Sequence, residues 1–449
     1  MISGVFKKNR RFHFIGIGGV SMSGLAQFCL KAGCRVSGSD TVMSDYTGRL
    51  AESGVKIFIG HARKNVRGAE VVIYNSAIAE DNPELCAARD NGKLILKRSE
   101  LLGEILSLYS RRICVAGCHG KTTVTAMLTQ IFRYAGEDPA YFIGGNALDF
   151  GNAGVSFSGT AIAEACEFRR NFLDLNPNFA VITNIDDDHM DCYRDLADLT
   201  DSYRRFGENA LCFINADDKN ARSVRKPGDI TYGIKSNADY RALHVSSRQE
   251  RYSFDFMRGS ECAAPIWLNV VGAYNVANAL AAAAAADRLG VPPETIARAL
   301  RDFRGVERRN EFLGEWCGAE CYADYAHHPR EIAASLETFH KLAGEKLVVV
   351  FQPHTYSRTR LLFGEFLEVL QKEPRLILYA AYAAREPYDV AGSAYTLKCA
   401  LPAAEYADTP ERLADKLQEM LRADDKLLIL GAGDLYEIVK KRRKEKKPL

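Results

Sequence analysis

Residues 111–128 read RRICVAGCHGKTTVTAML. A short apolar run, a glycine-bounded loop and an apolar face at helical spacing (Val124, Met127, Leu128, Ile131, Ala135) describe strand, loop and helix in that order. A standard phosphate loop places a glycine five residues before its Gly-Lys pair. Val115 stands there instead, and the loop is shortened to Gly117-x-x-Gly120-Lys121-Thr122. The parts a phosphate needs are still present. Backbone N–H groups of Gly120 and Lys121 open a helix, the Lys121 ammonium suits β- and γ-phosphates, and the Thr122 hydroxyl suits Mg²⁺. Gly117, Cys118, His119 and Thr123 complete the expected ATP contact. A bare Gly-Lys-Thr arises by composition alone, so the flanking strand and helix carry the reading.

Downstream, "TAIAEA" and "FAVITNI" read as two further buried strands. The first ends at Glu164, and the second runs into Asp186, Asp187, Asp188 and His189. Ligands of open α/β sheets gather at the carboxyl ends of strands, so three strand ends are expected to share one site. Thr122, Glu164 and His189 are its candidate metal ligands. Mg²⁺ prefers oxygen, so an imidazole there points to a second ion with softer ligands, Mn²⁺ being an alternative. A lone histidine is more often structural, and the aspartates at 186–188 could simply solvate a turn.

Strands alternating with helical segments continue in both directions, the pattern of parallel sheets with crossover helices. The expected fold class is α/β with three domains in series. Residues 1–109 form a Rossmann-like unit and 110–310 a central P-loop-type ATPase domain with a mostly parallel sheet, β-rich over roughly 210–270. Residues 311–449 form a second Rossmann-like unit, with strands in "ECYADYA", "KLVVVFQP", "RLILYAA" and "KLLILGAG". The segment "ALAAAAAADRLG" is too short for a membrane and reads as a closely packed helix.

The bulk properties exclude more than they assign. A chain of 449 residues with net charge +2 has no field directed at nucleic acid or an acidic membrane. Its one basic cluster, "KKRRKEKK" at 440–447, reads as a solvated helix end. No signal-peptide pattern or membrane span is visible, and the 12 cysteines include no C-x-x-C pair. A reduced, cytoplasmic setting is expected, without a zinc site.

Near the N-terminus "GIGGVSMSG" (16–24) follows a strand and opens a helix, but Ser21 replaces the third glycine of a dinucleotide fingerprint. Ser39-Asp40 after the second strand sits where a carboxylate meets a ribose, which favours a nucleotide or nucleotide-sugar. Later, "ADYAHHPREI" offers Asp324, His327 and His328, and "FQPHTYSRTR" offers His354, Arg358 and Arg360. Arginines there suit a carboxylate or a phosphate, whereas surface arginines are as often only solvated.

In this order the motifs resemble the Mur ligase family. The residues carrying it are "GIGGVSMSG", "SGSD" (37–40), Gly60-His61, "NSAI" (75–78), "GCHGKTT" (117–123), "EACEFRRNFL" (164–173) and "TNIDDDHMD" (183–191). "YNVANAL" (274–280), "GVERR" (305–309), "DYAHHPREI" (324–332), "FQPHTYSRTR" (351–360) and "GAGD" (431–434) follow. The resemblance implies ATP- and Mg²⁺-dependent ligation of L-alanine to the lactyl carboxylate of UDP-N-acetylmuramate through an acyl phosphate. It implies that Gly18, Gly19, Ser21, Asp40, His61, Asn75 and Ser76 hold the UDP-sugar, and that Asn275 and Arg308 join the ATP site. Lys121, His189, His327, His328 and Arg358 are the expected catalytic set, with His328 and Arg358 receiving alanine and His327 or His328 as base. A monomer or weak homodimer is expected. Cys118 stands where many members have Thr, "EACEFRRNF" departs from the commoner form, and Thr355 replaces an Arg of other members. Three rivals stay open at this point: a ligase attaching a whole tripeptide during wall recycling, an NAD(P)-dependent redox enzyme, and a non-catalytic UDP-sugar sensor.

Overall fold

The computed structural model describes residues 5–444 except 7, 188–191, 317 and 385, with side chains to Lys441. Three sheets follow one another along the chain. The first comprises β1 (Arg11–Ile15), β2 (Arg35–Asp40), β3 (Lys56–Ile59), β4 (Val71–Tyr74) and β5 (Leu94–Lys97), in the order β3-β2-β1-β4-β5 and parallel throughout. Period-two alternation explains its central strand. Phe12 and Phe14 enter one core, while Ile15 enters the core on the other side. His13 lies between the two phenylalanines and is fully buried.

The second sheet has ten strands. They are β6 (Arg111–Ala116), β7 (Ala140–Ala147), β8 (Gly151–Gly154), β9 (Thr160–Glu164), β10 (Phe179–Ile182), β11 (Leu211–Asn215), β12 (Ile230–Gly233), β13 (Tyr240–Arg248), β14 (Arg251–Arg258) and β15 (Glu261–Val271). Their order is β15-β14-β13-β12-β11-β10-β6-β9-β7-β8, so the strand feeding the phosphate loop lies between the other two site-bearing strands. The β7–β8 hairpin was not legible in the glycine-rich sequence, because its antiparallel edge lacks a clean apolar alternation.

The helix Lys121–Tyr134 is buried on every side from Thr122 to Phe132, not on one face as its apolar periodicity suggests. Two threonines make this tolerable: Thr125 and Thr129 donate to the carbonyls four residues back, each at 2.8 Å. The helix packs on Tyr274–Arg288, whose residues Ala281 to Ala286 are all fully buried, as the Ala-rich segment implied.

The third sheet contains β16 (Glu311–Trp316), β17 (Ala319–Asp324), β18 (Leu347–Phe351), β19 (Leu376–Tyr379), β20 (Glu405–Ala407) and β21 (Lys426–Leu430), in the order β16-β17-β21-β18-β19-β20. Only β16 is antiparallel to its neighbour. Both faces are covered: Val348 and Val350 enter one core and Leu347, Val349 and Phe351 the other, as buried parallel strands require. Residues 1–246, 253–269 and 274–304 form one compact unit, and 247–252, 270–273 and 305–449 a second.

Candidate active site

In the first unit the phosphate loop hangs between the ends of β6 and β10. Thr183 Oγ1 and Asn184 Nδ2 both donate to the His119 carbonyl, at 2.7 and 3.0 Å, and the His119 N–H donates to Asn184 Oδ1 at 2.8 Å. Gly120 caps the helix in the left-handed region (φ 83°), and a Cβ on it would lie 2.4 Å from Asn278 Oδ1. Glycine is therefore dictated twice, by backbone conformation and by the approach of the neighbouring helix. Asn278 also donates to Asn275 at 3.0 Å, which sets the buried Asn275–Asn278 pair beside the loop.

Lys121 folds back over its own loop. Its Nζ donates to the carbonyls of Gly117 (2.5 Å) and Cys118 (3.1 Å) and pairs with Glu167 Oε1 at 3.0 Å. Burial acts to discharge the ammonium, but Glu167, with lesser help from Cys166 and Glu164, outweighs it and raises the lysine pKa. Sequence reasoning missed Glu167, and its only signal was a second carboxylate three residues after Glu164. Glu164 ends β9 and accepts the Gly144 N–H at 2.8 Å. Cys118 sits in the loop as a buried thiol that accepts the Asp186 N–H at 3.1 Å. Thr122 and Thr123 are buried in the first helical turn. Asp188 and His189 lie outside the described residues, among which no three His, Cys, Asp or Glu side chains cluster as a ready metal cage.

The glycine turn belongs to the same unit. Asp40 braces the turn, accepting the Gly18 N–H at 2.8 Å and the Thr41 N–H at 2.7 Å. Asn75 likewise caps its own turn by accepting from Ala77. His61 is held from behind: its Nδ1 lies 3.1 Å from Ser39 Oγ and 3.2 Å from Glu84 Oε2. Glu84 is fully buried and gathers Ser39, Asn65 and His13 as well, Asn65 Nδ2 and Ser39 Oγ each donating at 2.5 Å. Burial alone would raise its pKa, but the His13 ring 3.6 Å away and hydrogen bonds from Ser39 and Asn65 hold it down at about 2. This carboxylate and His13 were also missed, since neither belongs to a motif.

A cleft of about 240 Å³ joins the two halves of this unit. Val20, Ser21 and Gly24 of the helix Val20–Lys31, Ser76, and Arg98 line one wall, with Gly144, Glu164 and Cys166 opposite.

The second unit carries the histidines. His327 Nδ1 lies 2.9 Å from the Tyr325 carbonyl and 3.4 Å from Glu331 Oε2, and its ring meets that of His354 at 5.8 Å. His354 stacks on Tyr382, and its carbonyl accepts from Arg358 Nη1 at 2.8 Å. Burial lowers the His327 pKa, Glu331 opposing and Arg358 adding to it. Burial, then His327 and Arg358, bring His354 down to about 4. Nearby Asp324 is pushed up to about 6 by burial, against Arg309 and two backbone N–H groups. His328 does something else: its Nδ1 accepts the Arg330 N–H as the N-cap of helix Pro329–Ala343, with Glu331 reciprocating. Arg308 is stacked 4.3 Å over Tyr436 and bonded to the Gly433 carbonyl and Glu437 within the second unit.

Fold and site together define a phosphate-loop α/β protein built on three serial sheets. Three family models match it in order: "Mur ligase family, catalytic domain" over residues 11–110, "Mur ligase middle domain" over 115–286 and "Mur ligase, glutamate ligase domain" over 308–433. The chain belongs to the Mur ligase family. It is 38% identical to the UDP-N-acetylmuramate–L-alanine ligase of Clostridium perfringens, covering 96% of this chain and 97% of that one. It is 40% identical to the protein of that name from Desulfosudis oleivorans, covering 97% and 98%. Among solved structures, the UDP-N-acetylmuramate–alanine ligase of Thermotoga maritima superposes with TM-score 0.83 at 28% identity, covering 97% and 98% of the two chains. A murein peptide ligase from Psychrobacter arcticus shares the fold with TM-score 0.72 at 22% identity, covering 97% and 98%.

Proposed function

We propose that the chain ligates L-alanine to the lactyl carboxylate of UDP-N-acetylmuramate, converting ATP to ADP and phosphate. The cleft running from Ser21 and Ser76 to Glu164 is the observation that carries this, because a carboxylate borne by a UDP-sugar must reach the phosphate loop. The names of relatives at 38–40% identity over nearly the whole chain support L-alanine over a tripeptide as acceptor.

Gly18, Gly19 and Ser21 at a helix N-terminus take the diphosphate, with His61, Asn75 and Ser76 along the nucleotide-sugar and Asp40 holding the turn. Gly117 to Thr123 cradle the ATP phosphates, and the Asn275–Asn278 pair faces adenine. Lys121, kept charged by Glu167, meets the charge that develops on the transferring phosphoryl group. Thr122 and Glu164 fit Mg²⁺, which keeps several waters and needs one or two protein oxygens rather than a complete cage. Bound there, Mg²⁺ neutralises phosphate charge. A lactyl oxygen attacks the γ-phosphorus, ADP departs and an acyl phosphate forms. The alanine amine then attacks the carbonyl, and the tetrahedral intermediate expels phosphate. The amine must lose a proton; neutral His327 or His354 is suited to take it, while His328 is engaged in capping. Arg358, beside His354, takes the alanine carboxylate. We place the reaction in the cytoplasm, and no helix among the described residues is long and apolar enough to cross a membrane.

The test is ADP release with ATP, Mg²⁺ and UDP-N-acetylmuramate, comparing no acceptor, L-alanine and the tripeptide. Turnover dependent on L-alanine is expected. Turnover only with tripeptide moves the chain to wall recycling, and silence with both removes the proposed activity.

A further inference from the structure

Among the described residues lining the cleft of the first unit, only two carry a charge, Arg98 and Glu164. They come from opposite sides: Arg98 begins the helix Arg98–Leu106, and Glu164 ends β9. The two differ in how they are employed. Glu164 already accepts the Gly144 N–H. Among the described residues no carboxylate pairs with Arg98, whose Nη1 donates only to the Ser21 hydroxyl, at 3.0 Å. A half-buried guanidinium has five donors, and one neutral hydroxyl uses a single one of them. Ser21 fixes where that fork sits, beside the N-terminal turn of the helix Val20–Lys31.

We propose that Arg98 binds the lactyl carboxylate of the UDP-sugar and thereby selects an acid over a neutral sugar nucleotide. This deepens the activity proposed above and rests on it. The diphosphate has donors of its own at the helix N-terminus, where the first backbone N–H groups lack intrahelical acceptors. What the cleft otherwise lacks is a cation on the path from that turn to Glu164. A planar guanidinium matches a carboxylate in two-pronged geometry and would hold one oxygen while the other stays free to attack phosphorus. Lysine at this position would keep the charge but not the fork.

The test compares wild type with R98A, R98Q and R98K, using UDP-N-acetylmuramate as substrate and UDP-N-acetylglucosamine as inhibitor. The second ligand keeps uracil, diphosphate and sugar but lacks the carboxylate. R98Q retains a donor for Ser21 without the charge, which separates substrate binding from loss of the Ser21 contact. R98A and R98Q should both raise the KM for UDP-N-acetylmuramate about 10- to 100-fold, as expected for a lost charge-assisted hydrogen bond. The inhibition constant of UDP-N-acetylglucosamine should change less than about twofold, the KM for ATP should hold, and R98K should recover part of the loss. Equal weakening of both sugar nucleotides assigns Arg98 to the diphosphate and overturns the proposal, as does an unchanged KM in R98Q. A wild-type enzyme that turns over without discriminating the two ligands in binding overturns it while leaving the activity standing. Wild-type protein inert towards UDP-N-acetylmuramate removes the activity and this assignment with it.

Discussion

Lys121 in the first unit and His354 in the second are both basic groups withdrawn in part from water, yet they end in opposite charge states. Lys121 has a buried carboxylate at 3.0 Å, and that partner outweighs desolvation and keeps the ammonium charged. His354 is half-buried beside another imidazole and an arginine, and its pKa falls to about 4. Burial is common to the two; the sign of the neighbour decides. The difference matches two chemical needs, a permanent cation for phosphoryl transfer and a neutral base for an attacking amine.

The comparison breaks most visibly at Lys121. Lys121→Ala should lower ADP release by about a thousandfold or more, and activity within tenfold of wild type would remove the lysine from phosphoryl transfer. Glu167→Gln should strand the ammonium in a dry site and cost about 3–5 kcal/mol in a denaturant titration, the usual penalty for breaking a buried pair. A loss below about 1 kcal/mol would mean that loop carbonyls alone hold the charge.

Glu84 sharpens the comparison, since it is a second buried carboxylate behind a site residue. Its folded pKa of about 2 lies below the usual 4.5, so its contribution is complete above pH 4.5 and is lost as pH falls towards 2. Glu84→Gln should cost about 1–3 kcal/mol at neutral pH and flatten the stability profile between pH 4.5 and 2. The histidine shifts are downward too, but what they favour is the neutral form. Burial lowers the His327 pKa and brings that of His354 down to about 4, so the acid limb of kcat should fall below the ordinary imidazole value of 6.5. A limb at 6.5 would point to an unperturbed base. The smallest effect belongs to His328. Asparagine is an equally good N-cap, so His328→Asn should change stability by less than about 0.5 kcal/mol. It should change kcat less than about twofold, whereas a large loss would put that ring against substrate.

What the sequence disclosed follows from how local each feature is. The shortened loop, its strand and its helix lie in one continuous segment, residues 111–134, and the neighbouring strand ends could be paired from their apolar runs. Partners set by long-range packing could not. Glu167 lies 46 residues from Lys121, and Glu84 lies 45 from Ser39 and 23 from His61, with no motif joining them. The buried polar side of the helix Lys121–Tyr134 escaped a one-face reading because threonine hydroxyls satisfy themselves on backbone carbonyls. The sequence also placed Asp40 and His328 in their turns, but the hydrogen bonds their side chains accept from backbone N–H groups there were not legible in it.

The central claim is that a substrate carboxylate attacks phosphorus held over the phosphate loop. It is tested most directly by labelling both lactyl carboxylate oxygens of UDP-N-acetylmuramate with ¹⁸O and analysing the phosphate released with ATP, Mg²⁺ and L-alanine. One ¹⁸O atom per phosphate, with the other retained in the new amide, is the predicted result. Unlabelled phosphate formed alongside the amide would contradict an acyl phosphate and the site built for it.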